Sequence, residues 1–338
     1  MPSISTAPPL PGDESITLRA LIAGALSDAP LAIRNVNTGE SARRIAEGLR
    51  ALGATVSFDG STAAVAGGSL RDTAMPIDCG SSLDAAELLL GLCAGAGLRA
   101  TLLGDIATTL EPLSAQLRAF GAQIETHDGS FPATVRGTGD VQTRTFLLVA
   151  PSRATQAALR FAARFAGVAI TIGGDKGLDD GAERLLVYLD DTGARKVTVP
   201  ADFGAAAHLL VDAVLTPGAS VRLEGVSVNP LRAGLLDVLS AMGAPIVREN
   251  ERELCGQPVA DLTARYVPLA GTTIAGDLLA RSRPELDLVA RLAAGAAGHT
   301  RILGRDLPDP AVPFERLPNG LAFTGLRADT QEVSETTA

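Results

Sequence analysis

Four short segments set an aspartate behind a small residue: Gly12-Asp13, Gly104-Asp105, Ala201-Asp202 and Gly276-Asp277. Each follows an apolar or proline-containing stretch of the kind that ends a strand, and an aspartate there can cap the helix that begins next. Helices that start in this way aim unpaired backbone N–H groups and positive dipole ends outward, so their convergence suits an anionic ligand. Other carboxylates offer acid–base chemistry. Carboxylates gathered in one cleft would work as paired acids and bases, proximity holding one pKa above another. The same oxygens would also suit Mg²⁺, but their spacing does not single out a metal, and neither metal nor organic cofactor is expected. His127, His208 and His299 are isolated and read as surface or capping residues. No nucleophile elbow surrounds Ser152, and Gly173-Gly174-Asp175-Lys176-Gly177 has the look of a hairpin loop without phosphate-loop spacing.

These residues need elements to hold them, and the chain repeats one. Leu49-Arg50-Ala51-Leu52-Gly53-Ala54-Thr55-Val56 recurs as Leu117 to Ile124 and as Leu239 to Ile246. Within each copy, Leu and the Leu, Phe or Met three places on share a helical face. Glycine then suits a left-handed C-cap, and a β-branched residue opens a strand. Each copy therefore reads as helix, glycine stop, strand. The separations imply a unit of about 60 to 70 residues, with a blurred copy at Glu183 to Leu189.

With 338 residues, 46% of them hydrophobic and 20% charged, the chain can bury a large core, and its length suits two or three domains. A net charge of −9 with 3% aromatics and no basic run argues against a nucleic-acid surface. Neither end reads as a signal peptide or membrane span, and disorder is expected only at the termini. Cys79, Cys93 and Cys255 lack metal-ligand spacing and point to a reduced, cytoplasmic setting.

The segment Pro11-Gly12-Asp13-Glu14-Ser15-Ile16-Thr17-Leu18-Arg19-Ala20 resembles the Gly-Asp-Lys-Ser-x-x-x-Arg-Ala signature of the 5-enolpyruvylshikimate-3-phosphate (EPSP) synthases. Val199-Pro200-Ala201-Asp202, Asn229-Pro230-Leu231-Arg232-Ala233-Gly234 and Met242-Gly243-Ala244 are similar to that family's Val-Pro-Gly-Asp, Asn-Pro-x-Arg-x-Gly and Met-Gly-Ala signatures. The sister group acting on UDP-N-acetylglucosamine fits less well, since its reactive-cysteine loop has no counterpart near Glu111. The resemblance spans about residues 10 to 325 and implies a mixed α/β (α+β) fold, the two-domain enolpyruvyl transferase fold of repeated βαβαββ units. It places an upper domain of about three units at residues 13–200. A lower, truncated domain takes residues 1–12 plus 201–327, and residues 328–338 form a disordered tail.

Carried over position by position, the resemblance implies lost cations. The signature lysine is Glu14, although Ser15 and Arg19 remain. The phosphoenolpyruvate loop has Ser81, Asp84 and Glu87 where the family has Asn, Thr and Arg. Glu111 replaces another arginine, and Ala154, beside Ser152 and Arg153, replaces a glutamine. The family's Ile-Asp-Glu, whose Asp handles the proton, becomes Arg283-Pro284-Glu285. Its Lys-Glu-Ser-Asp-Arg element becomes Val312 to Arg316, keeping only Arg316. Two unit charges about 4 Å apart interact by roughly 4 kcal/mol at an effective dielectric near 20, so Glu14, Glu87 and Glu111 should repel anionic substrates. The expectation is loss of enolpyruvyl transfer to shikimate 3-phosphate. A neutral or cationic small cyclic metabolite would bind instead, in a specialised or natural-product pathway. Glu14, Glu87, Glu111 and Glu285 would be catalytic, and Ser15, Arg19, Glu40, Ser81, Asp84, Ser152, Arg153 and Arg316 would bind. A non-catalytic pseudoenzyme and a residual enolpyruvyl transferase are the alternatives. Neither nucleic acid nor membrane is an expected partner, and oligomeric state is not legible.

Overall fold

The computed structural model describes residues 5–6, 9–27, 29–137, 144–148, 152–174 and 180–325. The tail at 328–338 and the end of the Gly173 to Gly177 loop lie outside them. One strand plan recurs: a first strand runs parallel to the second, and a hairpin closes the sheet antiparallel. It appears in β11 (Lys196–Thr198), β2 (Leu31–Arg34), β4 (Thr62–Ala66) and β3 (Thr55–Asp59), and again in β5 (Ile77–Asp78), β6 (Arg99–Leu103), β8 (Ser130–Arg136) and β7 (Gln123–His127). A parallel pair, β9 (Arg144–Leu148) and β10 (Ile170–Gly174), follows. The plan returns in β1 (Ser5–Thr6), β12 (Ser220–Ser227), β14 (Gln257–Arg265) and β13 (Val247–Leu254). Its last copy is β15 (Thr273–Ala275), β16 (His299–Leu303), β18 (Gly320–Thr324) and β17 (Glu315–Leu317).

Helices connect these strands: α1 (Glu14–Gly24), α2 (Glu40–Ala51), α3 (Leu83–Gly95), α4 (Glu111–Phe120), α5 (Arg153–Ala166), α6 (Gly181–Thr192), α7 (Phe203–Leu215), α8 (Gly234–Ala241), α9 (Gly276–Ser282) and α10 (Leu286–Gly295). Outer helices are amphipathic: α2 buries Ala42, Ile45, Ala46 and Leu49, one face at helical spacing. The inner helix α3 is buried continuously from Ala85 to Gly95. It meets α5 closely, because a Cβ on Gly91 or Gly95 would stand 2.5 Å from the Ala158 carbonyl oxygen or 2.1 Å from that of Ala162.

Helix, glycine stop and strand follow one another where the repeats place them, with Gly53, Gly121 and Gly243 all left-handed. The blurred copy is α6, closed by left-handed Gly193 and followed by β11. Apolar side chains form two cores, one from Ile16 to Val199 joined by Cys255, the other from Ala201 to Phe323. Two strand connections cross between the lobes. Gly12 bridges Ala201, the Asp13 N–H donates to the Pro200 carbonyl at 2.9 Å, and the Asp202 N–H donates to that of Pro11 at 2.9 Å. Glycine is required here, since a Cβ on residue 12 would fall 1.7 Å from the Asn35 carbonyl oxygen.

The last sheet departs from the plan. A helix follows β2, β6 and β12, whereas residues 304–314 run from β16 to β17 without one. Leu307 of this loop is buried.

Candidate functional site

Both crossing connections end in a cap. Asp13 accepts from the Ile16 N–H at 2.9 Å and Asp202 from the Ala205 N–H at 2.7 Å. Arg232, from the loop before α8, forms a 3.0 Å ion pair with fully buried Asp13, tying the second lobe to the start of α1. The expected caps at Asp105 and Asp277 are not formed. The chain runs on from Asp105 to Leu110 before α4 begins, and Asp277 lies inside α9, paired with Arg281 at 2.9 Å. Caps that the sequence reading passed over are Ser82 and Ser152, which accept from the N–H groups of Ala85 and Thr155.

Five helix starts therefore meet around the crossing: Glu14 opens α1, Asp84 stands in the first turn of α3, Arg153 opens α5, Asp202 caps α7, and Glu285 precedes α10. Arg19 is buried beneath them and donates to Ser15 and, at 3.2 Å, to the Arg153 carbonyl. Asp84 opens to solvent, but desolvation by the surrounding walls still raises its pKa. Arg19, Arg153 and Arg232 oppose that rise, and Glu14 adds to it. Desolvation likewise raises Asp202, whose bond from Ala205 counteracts it. Glu285 is pushed up to about 7, chiefly by burial, against the pull of Arg153 and Arg232. These electrostatic partners draw Glu14, Arg19, Asp84 and Arg153 of one lobe together with Asp202, Arg232 and Glu285 of the other. A cavity of about 510 Å³ lined by Pro9, Leu10, Val199, Arg222, Arg252 and others contains none of these charged groups.

The remaining expected site residues are otherwise engaged. Glu87 is 4% exposed and accepts from the Thr155 and Ser152 hydroxyls, both at 2.8 Å, so it bolts α3 to the cap of α5. Glu111 opens α4, but Arg118 grips its carboxylate at 2.9 Å and Thr126 donates at 3.1 Å. The Arg118 bond is the main reason its pKa is lowered. Glu40 joins Arg44 at 3.5 Å, and Arg44 also holds Asp78 at 2.9 Å. Ser81 is exposed in the turn before α3, where Ser82 makes the cap. Arg316 lies on β17, donates to the Leu307 carbonyl at 3.0 Å and pairs with Asp309, so it pins the loop that stands in for a helix. Among these, only Glu14, Ser15, Arg19, Asp84, Arg153 and Glu285 belong to the cluster at the crossing, with Ser152 at its edge as the α5 cap. Arg232 was missed as a site residue, although Asn229-Pro230-Leu231-Arg232 had marked it.

Two lobes of repeated βαβαββ units, with arginines and helix starts gathered where the connections cross, define an enolpyruvyl transferase architecture. An EPSP synthase (3-phosphoshikimate 1-carboxyvinyltransferase) family model matches residues 9–177 and 179–305. The chain belongs to the EPSP synthase family. A 3-phosphoshikimate 1-carboxyvinyltransferase from Gloeobacter violaceus is 35% identical over 358 residues, covering 93% of this chain and 82% of its own. One from an Anaeromyxobacter species is 36% identical over 314 residues, covering 87% and 73%. EPSP synthase from Acinetobacter baumannii shares the fold with a TM-score of 0.84 at 23% identity, covering 97% of this chain and 84% of that one. The enolpyruvyl transferase NikO from Streptomyces tendae shares it at 0.67 and 19% identity, covering 93% and 77%.

Relatives at this identity, named for the transfer reaction, overturn the expectation that transfer has been lost. The neutral or cationic ring ligand falls with it, and the pseudoenzyme alternative is the less supported. The structure supplies the physical reason: the repulsion argument took Glu14, Glu87 and Glu111 as three bare charges in one site, whereas Glu87 is buried against hydroxyls and Glu111 is neutralised by Arg118. Among the described residues, no helix is long and apolar enough to cross a membrane.

Proposed function

We propose that the protein is a carboxyvinyltransferase that moves the enolpyruvyl group of phosphoenolpyruvate to a hydroxyl of 3-phosphoshikimate, the acceptor named for its relatives. The observation that carries this reading is the meeting of Arg19, Arg153 and Arg232 with the starts of α1, α3, α5 and α7. Guanidinium forks and helix N-termini both favour phosphate and carboxylate. Arg153 and Arg232 belong to different lobes, so a pair of anionic substrates between them neutralises charge from both sides. Glu14 and Asp84 oppose anion binding; Arg19 and Arg153 act against them, and Arg232 does so while also answering Asp13.

Purified protein given phosphoenolpyruvate and shikimate 3-phosphate should release inorganic phosphate in a coupled assay. Arg153→Ala should lower kcat/KM by about 10- to 100-fold, the effect of one hydrogen bond to a charged group. Phosphate release no faster than without protein would remove the proposal.

A further inference from the structure

Among the carboxylates at the crossing, two are committed. Asp13 caps α1 and pairs with Arg232, and Asp202 caps α7. Glu87, at the edge of the cluster, is held by Ser152 and Thr155, and Glu111 is held by Arg118. Glu14 is exposed at the first position of α1, and Asp84 is open to solvent. Glu285 differs from all of these. It ends the tight turn Arg283–Glu285 between α9 and α10, half-buried, and its Oε2 is buried without a hydrogen-bond partner among the described residues. The turn is anchored on both sides: Ser282 is fully buried with its hydroxyl donating to the Leu278 carbonyl at 2.7 Å, and Leu286 is buried. Facing the carboxyl are Arg153 at the start of α5, Arg232 before α8 and Asp202 at the cap of α7. The carboxyl thus lies within electrostatic reach of the two arginines proposed to hold the anionic substrates, with one oxygen uncommitted among the described residues.

We infer that Glu285 is the catalytic residue that carries a proton to and from C3 of the enolpyruvyl group, a reading that rests on the transferase function proposed above. In the first step the acceptor oxygen bonds to C2 and the C2=C3 π bond breaks. Protonated Glu285 gives its proton to C3, making a methyl group, and the hydroxyl proton passes to the phosphate. In the second step Glu285 takes a proton back from the methyl, the C2=C3 bond re-forms, and the C2–O bond to phosphorus breaks. Phosphate leaves as hydrogen phosphate with the proton from the hydroxyl, and Glu285 ends protonated as it began. A carboxyl with a pKa raised to about 7 is suited to both directions at neutral pH. Pro284, which has no ionisable side chain, leaves Glu285 as the acid of this turn.

The test is turnover in D₂O with Glu285→Gln and Glu285→Asp, followed by NMR of C3 in recovered phosphoenolpyruvate and product. Wild-type protein should incorporate deuterium at C3 and show a kcat profile that breaks near pH 7. Glu285→Gln should lower kcat by about 10²- to 10⁴-fold and end incorporation, with KM for phosphoenolpyruvate changed by less than about tenfold. Glu285→Asp, one methylene shorter, should fold, keep the pH break and lose part of the rate. Wild-type turnover with undiminished rate or incorporation in Glu285→Gln overturns this inference alone, as does an unchanged kcat in Glu285→Asp should the Gln variant not fold. Absence of wild-type turnover and incorporation overturns the transferase reading, and this inference with it.

Discussion

Replacing Glu87 tests whether a carboxylate standing where the family carries a cation acts on substrate or on the fold. Its side chain is 4% exposed, and its two oxygens accept from Thr155 and Ser152 at 2.8 Å. Burial raises its pKa, Asp84 adds to the rise, and the two hydroxyl bonds oppose it. A folded-state pKa above the unfolded one means that the group's stabilisation is complete below about 4.5, its ordinary value, and is lost as pH rises through the folded value. As pH rises and the carboxylate ionises, it therefore carries a desolvation penalty that its hydroxyl partners only partly offset. Glu87→Gln keeps shape and a hydrogen-bonding amide while removing the charge. It should unfold within about 1 kcal/mol of the parent at pH 8, or above it, and compare less favourably at pH 5.5. Glu87→Ala leaves two hydroxyls without their acceptor and a void between α3 and α5, and should cost about 2–5 kcal/mol at both pH values. Urea midpoints at the two pH values, with unchanged slopes, measure this. If Glu87→Gln loses as much as Glu87→Ala at pH 8, or its difference from the parent does not vary with pH, the buried-bolt account is wrong.

Two further outcomes follow from close contacts. Gly95→Ala would press a methyl to 2.1 Å from the Ala162 carbonyl oxygen and force α3 away from α5. A loss of about 1–3 kcal/mol in denaturant unfolding is expected, and an unchanged midpoint would contradict the close approach. Arg232→Ala would leave Asp13 fully buried without its ion-pair partner, at about 3–5 kcal/mol, and adding Asp13→Asn should recover most of that loss. A double variant no more stable than Arg232→Ala would show that the pair is not what the arginine supplies.

The parts of the fold that could be read in advance are those decided within a few residues. A leucine face followed by glycine specifies a helix and its left-handed stop locally, and Gly53, Gly121 and Gly243 each take positive φ where that rule places them. The aspartate junctions were half right, because capping depends on where the helix starts. Asp13 and Asp202 lie directly before their helices, whereas the chain beyond Asp105 continues to Leu110. Ser82 and Ser152 escaped notice since a lone serine gives no comparable signal. Val312 to Arg316 shows a further limit: the chain goes directly into the hairpin of β17 and β18, and Arg316 turns to Asp309, a partner the motif alone did not name.

Charge itself was legible, but the partners of each charge were not, and the partners decide what the charge does. Glu111 meets an arginine seven residues along its own helix and a threonine on the neighbouring strand, so an acid in place of a cation is cancelled locally. Glu87 meets hydroxyls 65 and 68 residues away, and only folding brings them to it. A Coulomb estimate of roughly 4 kcal/mol at 4 Å holds for a bare pair of charges and shrinks when a counter-charge stands closer than the ligand. Of the three reversals Glu14 is the one exposed within the cluster, where Arg19, Arg153 and Arg232 act on the same ground. The proposed anion binding therefore turns on the cations that remain at the crossing, and Arg153, at the first position of α5 and acting electrostatically on both Asp84 and Glu285, is where substitution should weaken it most directly.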